Sequence, residues 1–129
     1  MVKQEKIHLE YFLKATSKNV IWDAISTPSG LERWFADKVR TEQKNYFFQW
    51  GKEETRKAEM LSWRNASFIR FHWTDDEDTK SYFEMKLNFD ELTNEIILEI
   101  TDFALSDETD ELKGLWNSLI NKLKRSYGI

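Results

Sequence analysis

The 129-residue sequence contains no cysteine, one proline and four glycines. Without cysteine there is no disulfide framework, no thiolate nucleophile and no cysteine-ligated zinc or iron–sulfur centre. Long apolar runs are also lacking: no stretch of about 18 apolar residues occurs, which excludes a membrane-spanning helix. The N-terminal residues have no apolar segment of the kind found in secretory signals, so the expected compartment is the cytoplasm.

Positive charge is not in excess either. The net charge is −4, from 19 Lys and Arg against 23 Asp and Glu, so we expect no nucleic-acid partner, which would need a basic face. Aromatic residues are abundant instead, with six Trp, nine Phe and four Tyr. Their apolar area excludes a disordered chain, and the length predicts one domain over residues 1–129.

The first third of the chain predicts a strand and two short helices. Strict alternation of apolar and polar side chains indicates a strand over residues 6–13. Ser17 stands where it could cap a helix over residues 18–25. Pro28 ends that helix, and a second short helix is expected over residues 30–35.

The remainder predicts an antiparallel sheet followed by a long helix. Strands are expected at residues 37–42, 45–50, 55–63, 67–74, 81–89 and 95–103, several of them with alternating apolar positions. After Ser106 or Asp107, either of which could cap it, an amphipathic helix continues to about Tyr127. Because that helix needs an apolar partner, the dry face of the sheet should pack on it, which makes the fold class α+β.

One segment resembles a known family. Residues 22–35 read WDAISTPSGLERWF and resemble the W-x-A-[IL]-[ST]-x-P-x-x-[IL]-x-x-W-[FWY] segment of the START-like (SRPBCC) superfamily, in the branch similar to the activator of the ninety-kilodalton heat-shock chaperone's ATPase. Residues 69–73, IRFHW, resemble that branch's apolar strand, which ends in Trp. Residues 114–116, GLW, resemble its C-terminal helix, although a Leu separates the Gly from the Trp. Residues 44–47, KNYF, lack the glycines of the family's Gly-Gly-x-[FY] turn.

The resemblance implies a helix-grip fold. In that fold an antiparallel sheet of about six to seven strands curves around a long C-terminal helix, and two short helices follow the first strand. It implies less about function, since members bind varied apolar ligands, catalyse unrelated reactions or assist a chaperone.

Motifs for common catalytic and metal chemistry are absent. His8 and His72 each share a strand face with charged residues, and no H-x-H or H-x-x-x-H spacing occurs. The acidic turn at residues 75–78 lacks the glycine and glutamate of a calcium loop. The P-loop, the dinucleotide fingerprint and the G-x-S-x-G elbow are also missing. The sequence therefore predicts no catalytic residue, no metal and no cofactor.

The candidate site is a set of large apolar side chains that converge from separate elements on the interior between sheet and helix. Its members are Trp34, Phe48, Trp50, Phe71, Trp73, Phe83, Met85, Leu98, Trp116 and Leu119. Two interpretations stay open: the side chains fill a core, or they line a cavity that accepts an apolar small molecule. Tyr46, Ser62 or Arg70 could orient a ligand if the strand register places them inside.

Three functional hypotheses follow. The first is non-enzymatic binding of a hydrophobic or amphipathic small molecule between the sheet and the C-terminal helix. The alternative is a co-chaperone-like module whose partner is a chaperone ATPase, which would need an exposed apolar patch. The third is a cyclase- or dehydratase-type enzyme, which would need an acid–base pair inside the cavity. The sequence indicates neither the ligand nor the oligomeric state.

Overall fold

A computed structural model of the protein describes residues 4–14 and 17–129. Within these residues it has seven strands and three helices. In chain order they are β1 (Gln4–Leu13), α1 (Lys18–Ser26), α2 (Pro28–Leu31), β2 (Lys38–Glu42), β3 (Asn45–Trp50), β4 (Glu54–Arg64), β5 (Phe68–Trp73), β6 (Phe83–Asp90), β7 (Glu95–Leu105) and α3 (Thr109–Tyr127).

The strands form one sheet in the order β1-β7-β6-β5-β4-β3-β2, and each neighbouring pair is antiparallel. The first strand, β1, therefore lies beside the last, β7. Along the chain, α1 and α2 connect β1 to β2, and these two strands are the edges of the sheet. This is the helix-grip α+β architecture that the sequence predicts. None of the helices in the described part of the chain is both long and apolar enough to cross a membrane.

The core lies on the face of the sheet that α3 covers, which we call the inner face. The register aligns Leu9, Ile100, Met85 and Ile69 across four strands, so their side chains share that face. Trp116, Ile120 and Leu123 of α3 are buried, at the spacing of one helix stripe. The alternation of β5 is as predicted: Ile69 and Phe71 are buried, whereas Arg70 faces outward.

Several predicted boundaries are wrong. The second short helix starts at Pro28 rather than at residue 30, because Thr27 Oγ1 accepts a hydrogen bond from the Gly30 N–H over 3.0 Å and so caps it. α3 begins at Thr109, and its N-cap position is held by Glu108 rather than by Ser106 or Asp107. Ser17 does precede α1, but no cap hydrogen bond from its side chain occurs among the described residues.

The far ends of two strands also depart from simple alternation. Phe89 was expected inside but is 50% exposed, since it lies next to the end of β6. In β4 the register shifts between Met60 and Ser62, so that Ser62 lies opposite Arg70 and Trp63 lies opposite Ile69. A bulge of this kind moves an alternating pattern to the other face.

Gly30 lies where α1 and α2 touch. A Cβ atom at this position would stand 2.1 Å from the carbonyl oxygen of Asp23 and 2.8 Å from the Cα of Ala24. Trp34 strengthens the same contact, because its indole N–H donates to the carbonyl oxygen of Ala24 over 2.8 Å. The two short helices thus form one rigid cover beside the sheet.

Candidate functional site

A crevice runs between the sheet and the N-terminal half of α3, and it divides into two parts. The inner chamber has a volume of about 290 Å³ and the outer chamber about 540 Å³. Both are lined by Arg56, Trp73, Asp102, Leu112 and Leu115. Since these five side chains belong to both linings, the chambers are neighbours, and a ligand with an apolar body and a polar head could occupy both.

The inner chamber is aromatic. Beside the shared residues its lining includes Phe35, Trp50, Glu54, Phe83, Trp116 and Leu119. The rings pack against one another. Phe83 stacks on Trp73 with ring centroids 4.9 Å apart, and on Phe35 with ring centroids 5.9 Å apart. The Trp50 indole donates to the Phe35 carbonyl oxygen over 2.9 Å. These contacts fix the walls before any ligand arrives, which is typical of small-molecule sites.

Asp102 is the buried polar group of both chambers. It occupies an inward position of β7 and is 9% exposed. Its Oδ2 accepts a hydrogen bond from the Trp116 indole over 2.9 Å, and its Oδ1 accepts one from the Phe103 N–H over 2.7 Å. Burial raises the pKa of Asp102 to about 6, although these two hydrogen bonds favour the ionised form. The carboxyl can therefore gain or lose a proton near neutral pH.

Arg56 forms part of the wall between the chambers. Its guanidinium lies over the Trp73 ring, 4.0 Å from the centroid. It also donates to both carboxylate oxygens of Asp75, over 2.9 and 2.8 Å, and this pairing lowers the pKa of Asp75. Arg56 is therefore already paired with a carboxylate in a bidentate geometry before a ligand binds.

The structure brings together five of the ten predicted site residues. Trp50, Trp73, Phe83, Trp116 and Leu119 line the inner chamber. The other five are fully buried and are not among the described residues that line either chamber: Trp34, Phe48, Phe71, Met85 and Leu98. The structure therefore places half of the predicted set in the core and half in the wall of the inner chamber.

Of the three polar candidates, the register places Tyr46 inside and the other two outside. Arg70 lies on the outer face, where it pairs with Glu84 over 3.0 Å and covers the Tyr82 ring. Ser62 is exposed after the β4 bulge. Tyr46 does face inward, but its hydroxyl donates to the Ser26 carbonyl oxygen over 3.0 Å, so it ties α1 to the sheet.

Asp102 and Arg56 were missed from the sequence. Asp102 continues the inward alternation of Ile96, Leu98 and Ile100 by one step. Arg56 likewise precedes the inward Ala58 in β4. In both strands, a charged residue at the end of a series of inward apolar positions was the sequence feature that could have identified Asp102 and Arg56 as site residues.

Among the described residues, one group of side chains could offer ligands to a metal ion, and it lies on the outer face. The His8 Nε2 atom is 3.3 Å from a Glu99 oxygen and 3.5 Å from a Glu10 oxygen. The other ring nitrogen of His8 is 3.4 Å from the Thr101 hydroxyl. The sheet separates this group from the two chambers.

Solved structures with this fold come from several bacteria. A Bacteroides fragilis protein with an NMR solution structure is 57% identical, over 98% of this chain and 93% of that one, with a TM-score of 0.70. The Aha1 dimer of Colwellia psychrerythraea gives a TM-score of 0.77 at 15% identity, over 93% of each chain. CalU16 of Micromonospora echinospora gives 0.73 at 16% identity, over 94% of this chain and 74% of that one. The last two show the fold alone.

Among curated proteins, none matches the chain significantly. The family model of the START-like superfamily domain matches residues 1–129. The match agrees with the order of strands and helices. The chain belongs to the START-like superfamily.

Proposed function

We propose that the protein binds a hydrophobic or amphipathic small molecule, without transforming it, in the inner chamber. The observation that carries this proposal is a preformed chamber of about 290 Å³ with aromatic walls and one buried carboxyl, Asp102. Mostly apolar concavities with a few placed polar groups are the usual form of small-molecule sites. Leu112 and Leu115 of α3 border both chambers, so they stand on the path between them.

Intrinsic fluorescence tests this proposal, because three tryptophans, Trp50, Trp73 and Trp116, line the inner chamber. We expect 4-phenylbutylamine and 4-phenylbutanol to change the emission saturably. The variant Leu119→Phe adds bulk in the chamber and should weaken binding about tenfold or more, as steric blockage of an apolar pocket does. Leu61→Phe is the matched control, since Leu61 is exposed and not among the described lining residues. Unchanged emission with every probe would refute the proposal.

The enzymatic alternative has less support. It needs a donor and an acceptor of protons in the cavity. Asp102 could serve as one of them, but Arg56 stays protonated at ordinary pH and is held by Asp75. Arg56 therefore does not complete an acid–base pair with Asp102, and Glu54, the other carboxylic side chain among the described residues that line the inner chamber, is exposed.

The interaction alternative rests on exposed apolar side chains outside the crevice. Trp63 is 56% exposed, and Phe89 and Leu92 are exposed as well. If these residues contact a chaperone, purified protein should raise the ATPase rate of a ninety-kilodalton heat-shock chaperone, and Trp63→Ser should abolish that effect. An unchanged ATPase rate would remove this alternative and leave the binding proposal intact.

A further inference from the structure

The two chambers are strongly acidic. Among the described residues that line them, Arg56 is the single cation. The carboxylic side chains in the same linings are Glu54, Asp76, Asp102, Glu108 and Glu111. Arg56 is also paired with Asp75, which lines neither chamber. The potential inside the crevice is therefore negative, and it favours a positively charged occupant.

Two side chains that line the chambers, Asp102 and Gln4, have buried oxygens with unused acceptor positions. Each oxygen of Asp102 accepts one hydrogen bond from the protein, and a carboxylate has about four acceptor positions in all. In the outer chamber Gln4 Oε1 is buried and has no hydrogen-bond partner among the described residues. The amide nitrogen of Gln4 already donates to Asp76 over 3.3 Å. A buried acceptor without a donor is costly, so a ligand with N–H groups would satisfy it.

The inner chamber in turn offers aromatic surface next to that carboxylate. Trp116 presents its indole to Asp102, and its ring lies 6.3 Å from that of Phe83. Aromatic rings next to a carboxylate attract organic cations through the ring quadrupole as well as through charge. An organic anion would instead face several carboxylates and one occupied guanidinium.

We propose that the ligand is an amphipathic amine, whose ammonium group is bound by Asp102 where the chambers meet and whose apolar body lies in the inner chamber. This inference rests on the proposed binding function and specifies the charge of the ligand. Gln4 Oε1 is a second acceptor for an ammonium or for a further N–H group in the outer chamber.

A series of probes with one body and three head groups tests the inference on the unmodified protein. The probes are 4-phenylbutylamine, 4-phenylbutanol and 4-phenylbutyrate, and calorimetry at pH 7.5 gives each dissociation constant. We expect the amine to bind about tenfold or more tightly than the alcohol, as a hydrogen bond to a charged group implies, and the carboxylate to bind most weakly. Equal affinities, or tighter binding of the carboxylate, would overturn the inference and leave the binding function standing. If none of the three binds, the binding function itself fails.

The variant Asp102→Asn identifies the group that recognises the amine. It removes the charge but keeps an oxygen that can accept from the Trp116 indole. We expect it to lose most of the preference for the amine, with little change for the alcohol. Asp107→Asn is the matched control, since it makes the same change of charge at an exposed position outside the described linings. Full retention of the amine preference in folded Asp102→Asn would overturn the assignment of Asp102. If that variant does not fold, the head-group series on the unmodified protein still tests the charge of the ligand.

Discussion

The indole Nε1 of Trp116 lies 2.9 Å from Oδ2 of Asp102 and donates a buried hydrogen bond to it. The bond joins the middle of α3 to an inward position of β7. It thereby holds the helix above the sheet and turns the carboxylate toward the chambers. Packing and the proposed ligand recognition depend on the same pair of side chains, so a substitution at either should affect both stability and binding.

Trp116→Ala should lower the free energy of unfolding by about 3–5 kcal/mol, the usual cost of removing a buried large aromatic side chain. Trp116 is 3% exposed, packs against Phe35 and Phe83, and is the indole donor to Asp102. Chemical denaturation measures the loss. Leu115→Ala, at the half-exposed neighbouring position, is the control and should cost less than about 1 kcal/mol. A similarly small loss for Trp116→Ala would show that the indole does not anchor α3.

Asp102 should make stability depend on pH. Burial raises its pKa from 3.8 to about 6 in the folded protein, so the folded state holds this proton more tightly than the unfolded chain does. The contribution of Asp102 to stability therefore rises as the pH falls through 6, and it is lost again as the pH rises. Well above pH 6 the carboxyl is fully ionised, and the buried charge costs about 3 kcal/mol for a shift of this size.

The comparison of Asp102→Asn with the natural protein isolates this effect, because shifts at other carboxyls such as Asp75 and Asp76 are common to both. At each pH, the free energy of unfolding of the natural protein is subtracted from that of the variant. This difference should be about 2 kcal/mol larger at pH 7.5 than at pH 4.5. Urea denaturation at the two pH values gives the difference. A difference that stays constant with pH would mean that Asp102 titrates normally.

Gly30→Ala should destabilise the protein by about 3 kcal/mol or more, at the upper end of overpacking costs. The added methyl group would overlap backbone atoms of α1, which cannot rotate away as a side chain could. The helices α1 and α2 would have to separate, and the Trp34 indole would lose its partner at Ala24. Thermal unfolding measures the loss, and a melting temperature equal to that of the natural protein would disprove this close approach.

Gly114→Ala should have the opposite effect. Gly114 lies inside α3 and is exposed, and a Cβ there would meet no described atom within 4 Å. Replacing an exposed helical glycine with alanine stabilises a protein by about 0.5–1 kcal/mol. A loss of stability in denaturation experiments would show that this face of α3 is in contact with something else.

The fold could be read from the sequence because its signals are local and repeated. Alternation in β1, β3, β5 and β7 identified the inward side chains, and the 3.6-residue spacing from Leu112 onward identified α3. The ends of the elements were harder to predict. Thr27 caps α2 before Pro28, so the helix begins earlier than expected, and the bulge in β4 after Met60 has no glycine or proline to mark it.

The site could be read only in part, because a cavity depends on distances between elements. Phe48 and Trp50 follow the same alternation in β3, yet only Trp50 reaches the inner chamber. Asp102 was not predicted as a site residue, because the apolar alternation of inward positions in β7 ends at Ile100.

Proton–nitrogen NMR spectra of the six tryptophan indoles test the binding site most directly, during titration with 4-phenylbutylamine and 4-phenylbutanol. Binding in the inner chamber predicts saturable shifts of the Trp50, Trp73 and Trp116 signals, with those of Trp34 and Trp63 little changed. Shifts confined to Trp63, or no saturable shift at any indole, would contradict it.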